Sequence, residues 1–77
     1  MTFDRITVDP AQMNGQPCIR GMRLTVRRVI EALATYGSDR EELRLDYPDL
    51  EDEDIAQALR YAAATLADET IELEPAR

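Results

Sequence analysis

The sequence predicts a mainly α fold, in which a short N-terminal β-strand and hairpin element precede a helix-turn-helix-like bundle of three helices. Three observations carry that prediction. β-Branched and turn-forming residues crowd the first 24 positions, and three stretches with apolar residues at helical spacing follow. Gly37 and Pro48 separate those stretches, and capping residues open them. At 77 residues the chain is expected to be one domain with a thin core. Its parts are a β element over 5–24, helices over 25–36, 38–46 and 51–69, and an acidic tail over 70–77.

Ile6-Thr7-Val8 is a β-branched run stopped by Asp9-Pro10 and reads as a strand. Asn14-Gly15 supplies a turn that needs positive φ. Cys18-Ile19 and Arg23-Leu24 read as two short strand pieces, with Gly21 at a turn or a bulge. Thr25 is placed as the N-cap of the first helix, whose apolar face is Val26, Val29, Ile30 and Leu33 and whose stop is Gly37. Ser38-Asp39-Arg40-Glu41 has capping-box spacing and opens a short second helix, ended by Pro48. In the third helix Glu51 stands at the cap and Asp54 at the reciprocal position, with Asp49 and Asp52 as alternative caps. Its predicted core stripe is Ile55, Leu59, Ala62 and Leu66, beside a small-residue stripe of Ala56, Ala63 and Ala67. The predicted core is Val29, Ile30, Leu33, Leu43, Leu50, Ile55, Leu59 and Leu66.

Composition then restricts function. There is no histidine, and Cys18 is the one cysteine. Zinc sites built from Cys and His and His-based nucleophilic triads are excluded, as is an intrachain disulfide. Cys18 reads as a small buried hydrophobe. Consecutive carboxylates on a helix point in different directions, so neither a metal site nor a cofactor is expected. No long apolar run and no signal-peptide pattern is present, so the expected location is the cytoplasm, with no membrane contact. An enzyme is not expected.

The net charge of −7 hides a division. Residues 1–37 carry five arginines against three carboxylates, and residues 38–77 carry four arginines against thirteen. Such asymmetry points to partners rather than to fold.

Two blocks resemble a known family. Val8-Asp9-Pro10 with Met13-Asn14-Gly15-Gln16-Pro17-Cys18-Ile19-Arg20-Gly21-Met22-Arg23-Leu24-Thr25-Val26 is similar to the opening of the bacterial domain-of-unknown-function family DUF433. Tyr47-Pro48-Asp49-Leu50-Glu51-Asp52-Glu53-Asp54-Ile55-Ala56-Gln57-Ala58-Leu59 is similar to its second block. The resemblance spans roughly residues 5–68. Met22 replaces a usual threonine, and Glu51 a usual threonine or serine cap. The resemblance implies a homeodomain-like helical fold. It further implies a non-enzymatic antitoxin of the VapB type that neutralises a PIN-like ribonuclease toxin, with repression of its own operon as a second role.

Arg20, Arg23, Arg27 and Arg28 form the basic cluster. They are candidates for DNA phosphates or for a partner's metal-binding carboxylates. The alternative is a solvated surface paired with the chain's own acids, in particular Arg27 with Glu31 four residues on. Asp52, Glu53 and Asp54 are read as helix N-terminal charges on a solvated face. Asp68, Glu69, Glu72 and Glu74 have no capping role and are candidates for an acidic partner-binding surface. Ile71 and Leu73 alternate with them and could add a strand to a partner's sheet. The leading expectation is thus occlusion of a ribonuclease by the acidic helical surface and tail, with Arg20 or Arg23 reaching in. A dimeric transcriptional regulator holding DNA phosphates through Arg20–Arg28 is the alternative, and an adaptor with no nuclease partner is a third. A third helix reading the major groove is not expected, because its first turn would set carboxylates against phosphates.

Overall fold

A computed structural model of the chain describes residues 3–66. The order is β1 (Ile6–Thr7), a single 3-10 turn (Met13–Gly15), β2 (Cys18–Ile19), α1 (Val26–Tyr36), α2 (Arg40–Asp46) and α3 (Asp52–Leu66). The two strands pair antiparallel, with Ile6 opposite Ile19 and Thr7 opposite Cys18. α1 packs against both α2 and α3. The mainly α fold with a small N-terminal hairpin is therefore the one expected.

Local chemistry accounts for the boundaries. Thr25 caps α1 as predicted, its Oγ1 accepting from the Arg28 N–H at 3.0 Å. α1 stops at Gly37, whose φ of 61° and ψ of −126° lie where a side chain is not tolerated. The reversal after β2 is a tight turn without a second regular strand. Arg20 (φ 45°) and Gly21 (φ 73°) form a two-residue loop closed by the Met22 N–H on the Ile19 carbonyl. Arg23-Leu24 is not a strand. Leu24 accepts one hydrogen bond from Ile19, and Thr25 makes a single bridge to Cys18, before α1 takes over the backbone.

Two sequence assignments shift, the cap of α2 and the buried face of α3, whereas the Glu51–Asp54 cap of α3 stands as read. The cap of α2 is Asp39, whose carboxylate accepts from the Glu42 N–H, so the Ser38–Glu41 box moves on by one residue. This register carries Leu43 into the core at 1% exposure. Glu51 precedes α3, and its carbonyl accepts the Ile55 N–H. Its own N–H donates to Asp54 Oδ2 at 2.9 Å, which is the reciprocal half of the predicted box. The α3 core stripe is rotated. Asp54, Ile55, Gln57 and Ala58 are buried, whereas Leu59 and Leu66 are 46% and 56% exposed. At about 100° per residue, Leu59 lies about 140° around the helix from Asp54, so seating Asp54 inward turns Leu59 outward. The stretch 67–69 of the predicted third helix lies outside the described residues, as do Ala67 of the small-residue stripe and the tail.

The core is Ile19, Val26, Val29, Ala32, Leu43, Leu50, Ile55 and Ala58. Ile30 and Leu33 of the predicted core pack against it half-buried. Cys18 is buried as expected. Among the described residues, no helix is long and apolar enough to cross a membrane.

The rotation of α3 has a direct consequence for stability. Ile55→Ala should lower unfolding free energy by about 2–5 kcal/mol, and Leu59→Gln should change it by no more than about 0.5 kcal/mol. Urea titration of both variants checks this. The same titration should give about 1 kcal/mol for Asp39→Ala, and near nothing for Ser38→Ala.

Candidate functional site

A charged cluster joins the hairpin to α3. The Asp54 side chain is 0% exposed and meets two guanidinium groups. Arg20 forks onto it, Nε donating to Oδ1 at 3.0 Å and Nη2 to Oδ2 at 2.9 Å. Arg5 Nη1 donates to Oδ1 at 3.1 Å and to Glu51 Oε1 at 2.5 Å. Arg20 Nη2 also donates to the Asp49 carbonyl at 2.6 Å. Buried Gln57 extends the cluster, accepting the Arg5 N–H at 3.0 Å and donating to Asp4 at 2.6 Å. Every buried side-chain polar atom among the described residues has a partner.

Burial alone would raise the Asp54 pKa. The Arg20 fork, the Glu51 N–H and Arg5 outweigh it and hold the carboxyl below the usual carboxylate range. Arg5 is shifted upward by its bonds to Glu51 and Asp54, and Arg20 by its bond to Asp54. All three groups are thus fixed in their charged forms, and they form a clamp rather than a proton-transfer device.

The predicted basic cluster divides here. Arg20 is turned into the clamp. Arg23, Arg27 and Arg28 instead line one open cleft of about 580 Å³, together with Gln16, Glu31 and Tyr47. The Thr25 cap sets the geometry by placing Arg27 and Arg28 in the first turn of α1 and Arg23 on the approach to it. Arg27 Nε pairs with Glu31 Oε1 at 3.0 Å, as the spacing predicted, but the pair is well exposed and weakly stabilising. Arg23 and Arg28 make no salt bridge among the described residues.

The charge pattern at the three helix starts is unequal. α2 opens with Glu41 and Glu42, and α3 with Asp52, Glu53 and Asp54, as the helix dipole favours. α1 has no acid in its first turn and carries arginines there. Cations at that end repel the dipole, and an anion in the cleft would relieve the repulsion. Guanidinium groups supply planar two-point recognition of carboxylate or phosphate, with no proton to exchange near neutral pH.

The acidic candidates fare differently. Asp54 leaves the solvated face to become the centre of the clamp. Asp52 stays on the surface and pairs with Arg44, and Glu53 pairs with Arg60 at 3.7 Å. Asp68, Glu69, Glu72 and Glu74, with Ile71 and Leu73, lie outside the described residues. Among those described, no group of three or more potential ligands is placed to hold a metal ion. Arg5 and Gln57 were not singled out in the sequence. Their partners lie about fifty positions away along the chain, and no local pattern marks such pairs.

Comparison with known proteins matches this architecture to others. The sequence pattern of a family described as "Protein of unknown function (DUF433)" matches residues 6–62. A solved structure of a DUF433 member protein from Anabaena variabilis ATCC 29413 is similar at 30% identity and a TM-score of 0.68. The alignment covers 83% of this chain and 62% of that one, so this chain spans less than two thirds of that protein's length. No curated protein matches it.

The clamp makes stability dependent on pH. The folded-state pKa of Asp54 is depressed, so its contribution is full above the unfolded value of about 3.9 and is lost as pH falls through the folded value. Thermal melts should therefore show Tm falling below about pH 4. Asp54→Ala should cost about 3–5 kcal/mol near neutrality, because it leaves two guanidinium groups without their carboxylate, and should flatten the acid limb of the Tm profile.

Proposed function

This chain belongs to the DUF433 family, and we propose that it acts as an antitoxin-like binding module that neutralises a PIN-like ribonuclease by protein–protein contact. The observation that supports this reading is the convergence of Arg23, Arg27 and Arg28 on one open cleft. A metal-dependent nuclease holds its ions with clustered carboxylates. Guanidinium groups inserted among such carboxylates form charge-assisted, two-point contacts and displace the metal. Arg23 is the foremost reach-in residue, since the Arg20 guanidinium is engaged by Asp54 within the chain. The acidic α2 and α3 surface supports the same reading, because it complements the basic groove a ribonuclease offers to RNA.

A second reading rests on the same cleft. Cations at the start of α1 also suit DNA phosphates, and a dimer presenting two such clefts would act as a regulator. The carboxylates at the start of α3 disfavour that helix as the reading element.

The test is co-purification of the full chain with the product of the adjacent reading frame, followed by an RNase assay on the complex. The wild type should suppress the partner's activity in a stoichiometric complex. Arg23→Ala, Arg27→Ala and Arg28→Ala together should release it, with at least one substitution costing more than about 1 kcal/mol of binding. A chain without such a partner, shifting DNA with an affinity that falls steeply with salt, would select the second reading instead.

A further inference from the structure

A second depression adjoins the arginine cleft. It is a trough of about 400 Å³ between α1 and α3, walled by Val26 and Ile30 on one side and by Tyr61, Ala62 and Leu66 on the other. Val26 is the buried member of these walls, and Leu66 is 56% exposed. Val26 and Ile30 stand four residues apart on one helix, as do Ala62 and Leu66 on the other, so each wall is an i, i+4 ridge. A groove between two such ridges accepts a row of side chains from a third helix. The α3 wall is held in place from within the chain. The Tyr61 ring meets Phe3 edge to face, with centroids 5.4 Å apart, and Thr65 Oγ1 donates back to the Tyr61 carbonyl at 3.0 Å.

The trough is continuous with the basic cleft through Gln16, Arg27 and Glu31, which line both. An occupant of the whole groove meets apolar walls at one end and guanidinium groups at the other. At the basic end Arg23, Arg27 and Arg28 stand against a single lining carboxylate, Glu31, on a chain whose net charge is −7. Charge complementarity thus asks for an anion there, at the start of α1, where the helix dipole also favours one. The apolar walls offer nothing to a phosphodiester chain, which points to protein rather than nucleic acid. A second copy of this chain would bring its own net charge of −7, with acids at the starts of α2 and α3, to a molecule of the same charge.

We propose that the cleft and the trough form one groove for an acidic amphipathic helix of a partner protein. Two apolar side chains three or four positions apart on that helix enter between Ile30 and Leu66. Its carboxylates, about 5–11 Å further along its axis, reach Arg27, Arg28 and Arg23. Glu31 yields Arg27 to the incoming acid, an exchange made easy by the exposure of that pair. The apolar contact supplies affinity, and the arginines fix the direction and register of the bound helix. The inference deepens the protein-binding reading of the cleft and rests on it, but it does not require the partner to be a ribonuclease.

The experiment selects binders to the immobilised full chain from a displayed library of random peptides, each long enough for about four helical turns. Enriched sequences should share two apolar residues at helical spacing and at least two carboxylates beside them. The best of them, synthesised and titrated by fluorescence anisotropy, should bind less tightly as salt rises. Leu66→Gln, at an exposed position, and Arg27→Ala with Arg28→Ala should each weaken binding at least about fivefold. Leu59→Gln, exposed on the same helix but outside the trough, should leave it unchanged. The proposal is overturned by a library that yields no binder, by binders without carboxylates, or by equal losses in the Leu59 and Leu66 variants. It is also overturned if the chain alone runs at twice the monomer mass and Leu66→Gln returns it to monomer, which assigns the trough to a second copy. Capture of duplex DNA through Arg27 and Arg28, with no peptide selected, assigns the cleft to phosphates instead. The library holds no ribonuclease. A bound acidic peptide with failed co-purification therefore removes the ribonuclease and keeps the groove, whereas a suppressed ribonuclease indifferent to Leu66→Gln does the reverse.

Discussion

The carboxylate of Asp54 is the constraint on which the rest of the structure depends. A fully buried charge is tolerable only when its desolvation is offset by close opposite charge and complete hydrogen bonding. Both conditions are met here by groups that are distant in sequence. Arg5 comes from the start of the β element and Arg20 from its tight loop, while the Glu51 N–H comes from the entry to α3. One side chain thus ties the hairpin to the long helix, and it does so at the helix end where the dipole favours a negative charge.

Several local features depend on that anchor. Arg20 holds a left-handed backbone conformation that is uncommon for a side-chain-bearing residue, and its guanidinium is fastened at Asp54 and at the Asp49 carbonyl. α3 is rotated so that Asp54, Ile55 and Ala58 face inward, which sends Leu59 and Leu66 to the surface. The exposed leucines are a consequence of the rotation. The clamp thus ties the hairpin to α3 beside a small apolar core that joins the three helices.

The clamp also divides the arginines by role. Arg5 and Arg20 are held by internal carboxylates, whereas Arg23, Arg27 and Arg28 are left around an open cleft whose one internal acid is Glu31. The asymmetry between the halves of the sequence thus resolves into an internal part and an external one. What remains outside is a basic depression on an otherwise acidic molecule. Such a surface distinguishes an anionic partner by position rather than by overall attraction.

Much of this was legible in the sequence, because much of it is local. The Thr25 cap, the stop at Gly37, the break at Pro48, the reciprocal Glu51–Asp54 contact and the Arg27–Glu31 pair each depend on residues within a few positions of one another. The mainly α class and the burial of Cys18 came from periodicity and composition. The register of α2 by one residue, the face of α3 and the fate of Arg20 could not be read in the same way. Ser38 and Asp39 both offer a capping oxygen at workable spacing, and only the seating of Leu43 chooses between them. A helix wheel ranks leucine above alanine and sets aspartate outside, so it turns α3 the wrong way. That order is reversed only by two arginines arriving from 34 and 49 residues away. The sequence by itself determined the elements and their ends, since hydrogen bonding and backbone freedom are settled among neighbours. Which face is buried and which cations remain free was decided by the tertiary structure, because the energy of a charge depends on what folding places beside it.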